Sequence, residues 1–168
     1  RLCHSPPGQP VKVSRELFDI LQRAQKLARE TDGAFDITAG PMIRFWRKAR
    51  RQKKLPPAMV LAAVKSRVGF EKLKLNPRNR TVPLRAANIQ LDLGGIAKGY
   101  AVDEMGRALE ALGVQRYMVE VGGEIRTRGK NAQDNAWQMG VVRPERDGKQ
   151  VAELVVPLHN RSMATSGN

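Results

Sequence analysis

Cysteine, histidine and aromatic residues are scarce in this 168-residue sequence: one cysteine, two histidines and an aromatic share of 5%. A single thiol, Cys3, excludes an internal disulfide, and without a C-x-x-C pair there is no thiolate metal knuckle. His4 and His159 are isolated, and neither stands at metal-ligand spacing from another candidate. Only Arg1 and Leu2 precede Cys3 here, so it is expected to be an incidental thiol and not a lipid attachment point. No apolar run approaches the roughly 18 residues of a membrane span. Neither G-x-x-x-x-G-K-[ST] nor G-x-G-x-x-G occurs, which removes the two common glycine-rich phosphate loops. Internal repeats and low-complexity tracts are also lacking.

Acid is the other shortage. Against 30 Lys and Arg stand 16 Asp and Glu, a formal net charge of +14. That balance fits an anionic partner, whether nucleic acid, anionic lipid or a phosphorylated small molecule, and by itself says nothing about fold. A hydrophobic share of 41% over 168 residues suffices for one domain with a real core.

The first thirteen residues, rich in Pro and Gly, read as a loop or short edge strand. Ser14 is a plausible N-cap for a helix in which Leu17, Leu21, Ala24 and Ala28 recur at helical spacing and Phe18 and Leu27 widen the stripe. "TDG" at 31–33 stops it. Pro41 suits the first turn of a second helix with Met42, Phe45 and Trp46 on its apolar side. "PAMVLAAVKSRVG" reads as a third helix ending at Gly69. From residue 70 the period becomes two, and "FEKLKL", "TVPL" and "NIQLDL" read as strands joined by "NPRNR" and "RAA" turns. Ala97 to Leu112 is a helix with Val102, Met105, Leu109 and Leu112 on one face and Gly113 just beyond. Five further strands follow, "RYMVEV", "EIRTRG", "AWQMGVVR", "AELVVPL" and "SMATSG", with turns at "GG" 122–123 and "RPERDGK" 143–149. Helices, strands, one helix and strands in that order predict an α+β fold with a largely antiparallel sheet.

The stretch "LDLGGIAKGYAVD", 91–103, carries the chemistry most directly. A helix begins with unpaired N–H groups and partial positive charge, glycines let a ligand approach the main chain, and a lysine adds a full charge. Gly94-Gly95 and Lys98 therefore suit a phosphate or diphosphate; the alternative is a tight turn with a solvated lysine. Asp92 accepts hydrogen bonds either from a ligand or, more commonly for such a residue, from the turn's own N–H groups. Asp36 and Thr38, before Gly40-Pro41, either form a turn and cap a helix or line a pocket through "AFD". Phe45 and Trp46, at helical spacing, are expected in the core and not as a stacking platform. From Arg44 to Lys54, seven of eleven residues are Arg or Lys, read as a solvated basic surface compatible with attracting a phosphorylated ligand. Thr165 and Ser166 either face a ligand or close a terminal strand. No Ser-His-Asp arrangement is legible.

Four segments, "DGAFDITAGPMIRFW", "LDLGGIAKGYAVDE", "VEVGGEIRTRG" and "MATSGN", resemble the ApbE-type FAD:protein FMN transferases in order and spacing. The resemblance runs from about residue 11 to the last residue, and its specificity lies in "DLGGIAKGYAVD". It implies an ApbE/T-fold-like α+β domain, largely antiparallel sheet with packed helices, that moves FMN from FAD onto a Thr or Ser hydroxyl of an acceptor protein. AMP leaves and magnesium is required. Residue by residue it implies FAD contacts at Ala34, Phe35, Asp36, Asp92 and Lys98, and a backbone carbonyl offered to the metal at Gly95. No residue is assigned as catalytic, since the nucleophile belongs to the acceptor. A periplasmic or cell-surface location is implied by the resemblance alone.

Family chains are about twice as long. The Met-Gly-Thr strand, the H-x-I-D-P-x-T-G segment and the later Asp and Thr that complete the metal site are not in these residues, and Asn168 stands where many relatives carry an acid. One carbonyl is a poor magnesium site, because hard cations take several oxygens. Residues 1–168 are therefore expected to be one partial domain of this type. The second reading is an FAD-binding or FAD-hydrolysing module, releasing FMN and AMP, without transferase activity. The third is a basic nucleic-acid-binding protein, though no nucleic acid is expected as partner under the first.

Overall fold

Ser14 accepts a hydrogen bond from the Leu17 amide at 3.2 Å and opens helix α1, Arg15–Glu30, as the sequence predicts. The computed structural model describes residues 2–85, 87, 89–143 and 152–166. The chain divides into two units, Arg1–Ile96 and Ala97–Asn168.

In the first unit α1 buries Phe18, Leu21, Ala24, Gln25 and Ala28. Gln25 is tolerated there because its Nε2 donates to the Phe70 and Leu73 carbonyls at 2.9 and 3.1 Å. Strands β1, Val11–Lys12, and β2, Thr81–Val82, pair antiparallel. Helices α2, Gly40–Gln52, and α3, Ala58–Lys65, follow a 3-10 turn at Ile37–Ala39. A Cβ on Gly40 would lie 2.4 Å from the Gln90 carbonyl oxygen, so only glycine lets α2 begin against that segment. The core joins Phe18, Leu21, Ala24, Ile37, Leu73, Val82, Leu84 and Ile89.

Four expectations change here. "FEKLKL" is not a strand: Phe70–Lys72 form a 3-10 turn, and Leu73 makes a single bridge to Leu84. The described residues of "NIQLDL", 89–93, have no ladder either; their period-two pattern is a burial pattern, with Ile89 fully buried and Leu91 and Leu93 packed on the core. Extended chain alternates its side chains whether or not a partner strand is present, and beside this segment lies the 37–39 turn, which offers one carbonyl and no strand edge. Trp46 is 44% exposed and stacks edge-on to the half-buried Phe45, so the pair is not core. The third helix also ends earlier than predicted, at Lys65.

In the second unit helix α4, Ala97–Ala111, packs on the sheet made by β3, Tyr117–Val121, and β4, Glu124–Arg128. Strands β5, Trp137–Val142, and β6, Ala152–Leu158, form a separate antiparallel pair, and β7, Ser162–Ala164, adds to β4. Thus all five strands predicted after α4 are present. The apolar core is small, Val102, Tyr117 and Val119. Charge does much of the joining: Arg126 reaches both Asp103 and Glu110 at 3.0 Å, and Arg128 reaches Glu110 at 3.0 Å. Apart from Arg143, the expected 143–149 turn lies outside the described residues, as do Ala86 of the "RAA" turn, Asn88, Gly167 and Asn168.

Candidate functional site

Two segments far apart in sequence run side by side in the first unit. The Asp92 amide donates to the Ile37 carbonyl at 2.7 Å, which joins "LDLGG" to "AFDIT". At the other end the Phe35 ring lies against Gly95, where an added Cβ would sit 3.2 Å from Phe35 Cε2. Ala34, Phe35, Asp36, Asp92 and Gly95 are therefore assembled on one strip of this unit. Ala34 is exposed, Phe35, Asp36 and Asp92 are half-buried, and Gly94 and Gly95 present their main chain to solvent.

Both acids have local work. Asp36 Oδ1 accepts from the Thr38 amide and hydroxyl, each at 2.7 Å, and caps the 3-10 turn. Thr38 Oγ1 in turn accepts from the Gly69 amide at 2.8 Å. Asp92 Oδ1 accepts from the Gly94 amide at 2.8 Å, closing the glycine turn. The structural alternatives for these two residues are thus realised on one oxygen each, while among the described residues their Oδ2 atoms take no part in these bonds. Carboxylates fixed this way are acceptors of set direction, suited to ligand N–H or O–H groups.

Lys98 lies in the second unit, in the first turn of α4, and is not free in solvent. Its Nζ donates to the Gly122 carbonyl at 2.6 Å and pairs with Glu124 Oε2 at 2.6 Å. That carboxylate oxygen is buried, and it has no hydrogen bond of good angle. The ion pair is therefore its compensation, although the short distance alone would suggest a conventional hydrogen bond. Gly122 and Gly123 both take positive φ, 56° and 93°. A Cβ on Gly123 would meet Thr165 Oγ1 at 2.8 Å, and the Thr165 amide and hydroxyl both donate to the Gly123 carbonyl at 3.0 Å. Glu120 closes the same turn by accepting from the Gly123 amide at 2.8 Å.

Gly122–Gly123 and Thr165, from pieces weak as isolated motifs, meet in this turn, with Lys98 against Gly122. The sequence reading named Gly122–Gly123 as a turn within "VEVGGEIRTRG" but gave neither it nor Glu120 and Glu124 a role in the site. The available signal was two acids flanking a double glycine between strands of period two.

The same unit holds a cleft of about 580 Å³ whose walls include Glu110, Tyr117, Arg126, Arg128 and Arg161. Its charges largely satisfy one another. A hydrogen bond from Tyr117 at 2.6 Å, with Arg128 and Arg126 beside it, outweighs desolvation and holds the Glu110 carboxyl below the ordinary glutamate value. Burial, then the Glu110 carboxylate, push the Tyr117 phenol up. Burial opposes the Arg126 charge, but Tyr117, Asp103 and Glu110 outweigh it and hold the guanidinium protonated. These residues fasten α4 to the sheet.

Among the described residues no three His, Cys, Asp or Glu side chains group to hold a metal. The Gly95 carbonyl does not by itself match the oxygen set magnesium takes. The glycine-bared main chain and the directed acceptors are groups that can hydrogen-bond a polar ligand.

The first unit thus offers a glycine-opened turn closed by an acid, and the second a lysine held at a helix start. The chain belongs to the ApbE family, which it matches over residues 1–168. It is 37% identical over 163 residues to the FAD:protein FMN transferase of Haemophilus influenzae, covering 95% of this chain and 47% of that protein. Identity to the FAD:protein FMN transferase of Chlamydia muridarum is 34%, over all of this chain and 50% of that one. The solved flavin transferase ApbE of Vibrio cholerae superposes at a TM-score of 0.84 and 29% identity, covering 99% of this chain and 53% of that chain. A Thermotoga maritima ApbE structure gives 0.82 at 27% identity, covering 96% and 52%. The chain thus spans about half the length of the relatives it matches.

Proposed function

We propose that this chain is the FAD-holding portion of an FAD:protein FMN transferase, one partial domain over residues 1–168. The observation that carries the reading is the joining of "AFD" to "LDLGG" by the Asp92–Ile37 hydrogen bond and the Phe35–Gly95 contact. Relatives named FAD:protein FMN transferases support it. In this reading Ala34, Phe35, Asp36, Asp92 and Lys98 hold FAD, and Gly95 offers its carbonyl to a magnesium ion whose other ligands are not these residues.

The acceptor's Thr or Ser oxygen forms a bond to the FMN phosphorus. The bond from that phosphorus to the oxygen shared with AMP breaks, AMP leaves, and the hydroxyl proton is released. Positioning supplies most of what the protein must do, together with positive charge toward the phosphoryl oxygens. Lys98 supplies such a charge, held in direction by Gly122 and Glu124. Asp36 and Asp92 orient the nucleotide through their free oxygens.

The test incubates the protein with FAD, magnesium and an acceptor carrying a Thr in a D-G-x-T-type segment, and reads covalent flavin fluorescence in a denaturing gel together with released AMP. Weak FAD binding and little turnover are expected of these 168 residues, and flavin on the acceptor once they are joined to the second half found in the relatives. FMN and AMP appearing without an acceptor indicate a hydrolase instead. No calorimetric heat with FAD, even for the extended chain, overturns the reading.

A further inference from the structure

Residues 37–70 contain nine Lys and Arg and not one Asp or Glu. Arg44, Arg47, Lys48 and Arg51 stand at i, i+3, i+4 and i+7 on one face of α2, and Arg50, Lys53 and Lys54 crowd its end. All seven are exposed, and among the described residues none is in an ion pair. A helix C-terminus carries a partial negative charge of about half an elementary charge, which seven cations far exceed.

Apolar surface follows at once. Leu55 is 82% exposed and Met59 84% exposed, with Val60 at 45% and Trp46 at 44%. Of the five large apolar side chains that the first unit exposes among the described residues, four fall in this stretch; the fifth is Leu27. Helix α3, AMVLAAVK, is apolar nearly all round and yet buries no residue. Such a helix ordinarily lies in a core or against lipid. Pro56-Pro57 stiffens the connection between the cationic end of α2 and this apolar turn.

We propose that the α2–α3 corner is a docking surface for an anionic lipid bilayer. Cations without counter-charges meet lipid phosphates, and each one near the surface is worth about a fivefold gain in partition. Leu55, Met59 and Trp46 then enter the boundary between headgroups and acyl chains, where apolar side chains and the indole ring are favoured. The surface would lie on the bilayer, its charges at the headgroups and its apolar side chains below them. Nucleic acid would use the same charges, but bases are gripped by aromatic platforms, and here the exposed apolar groups are mostly aliphatic. The inference is independent of flavin chemistry.

The experiment sediments the protein with vesicles of phosphatidylcholine alone or phosphatidylcholine with phosphatidylglycerol, and follows tryptophan emission. Binding to the anionic vesicles only is expected, with a blue shift that Trp46→Phe abolishes. The combined Arg50→Gln, Arg51→Gln, Lys53→Gln, Lys54→Gln variant should lose at least about a hundredfold in partition. Leu55→Ser with Met59→Ser should lose about tenfold or more with every charge kept. Should the quadruple variant fail to fold, raised salt applied to the unmodified protein must release it from the vesicles. Equal binding to neutral vesicles, no binding at low salt, or indifference to Leu55→Ser with Met59→Ser overturns the proposal. Oligonucleotide binding tighter than vesicle binding, or self-association that hides Trp46, overturns it in favour of those partners.

Discussion

Lys98 and Lys53 carry the same charge in different settings. Lys98 is bonded to Gly122 and paired with Glu124 beside the Gly122–Gly123 turn, whereas Lys53 ends α2 in solvent. A directed ammonium contributes a charge-assisted hydrogen bond to a phosphate, and a solvated one only a screened field. Lys98→Ala is therefore expected to weaken FAD binding by about tenfold or more, and Lys53→Ala by less than about twofold, in calorimetric titrations. Equal losses would reduce the site to general charge. Asp92→Ala should lower flavin retention while the domain stays folded by circular dichroism; global unfolding would return Asp92 to its turn alone. For Asp36, whose one oxygen takes two hydrogen bonds, Asp36→Ala is expected to cost about 1 kcal/mol in urea unfolding, the usual cost of losing a cap.

Helix α4 meets its sheet through a ladder of charge more than through a wide apolar face. Gly106 makes the ladder fit: a Cβ there would lie 2.7 Å from Tyr117 Oη and 3.0 Å from Arg126 Nε. Gly106→Val should cost about 1–3 kcal/mol. Gly99, seven residues earlier in the same helix, has nothing within 4 Å of its notional Cβ, and Gly99→Ala should stabilise by about 0.4–1 kcal/mol. Urea midpoints of the two variants moving in opposite directions check the packing. The ladder also sets a pH response. Glu110 has a folded pKa below its unfolded one, so its contribution is complete above the ordinary glutamate range and is lost as pH falls through the folded value. Glu110→Gln is expected to flatten the acid limb of a midpoint-against-pH curve while lowering the midpoint near neutrality. An acid limb unchanged by the substitution would assign the pH response to other carboxylates.

For the molecule as a whole, a net charge of +14 draws anions from a distance. The FAD association rate should fall steeply between about 0.05 and about 0.5 M salt, as the screening length shrinks, while the dissociation rate changes little; stopped-flow flavin fluorescence reads both. A flat association rate would confine the attraction to contact distance.

Capped and punctuated elements were readable from the chain alone: α1 from Ser14 to "TDG", the start of α2 from Pro41, α4 with Gly113 behind it, and every strand after it. Caps, glycines and alternation are written in neighbouring residues, so local physics suffices for them. Period two at "FEKLKL" and "NIQLDL" set which side chains turn inward, and left open whether a ladder partner stood alongside. Likewise "AFD", "LDLGG" and Lys98 could be named as chemistry-bearing, but not that Asp92 would reach Ile37, that Phe35 would cover Gly95, or that Lys98 would be held by Gly122 and Glu124. Those contacts span 24 to 60 positions of chain, and their partners are chosen by how the cores pack. A hydrogen bond's partner is a fact of space, which composition and periodicity do not encode.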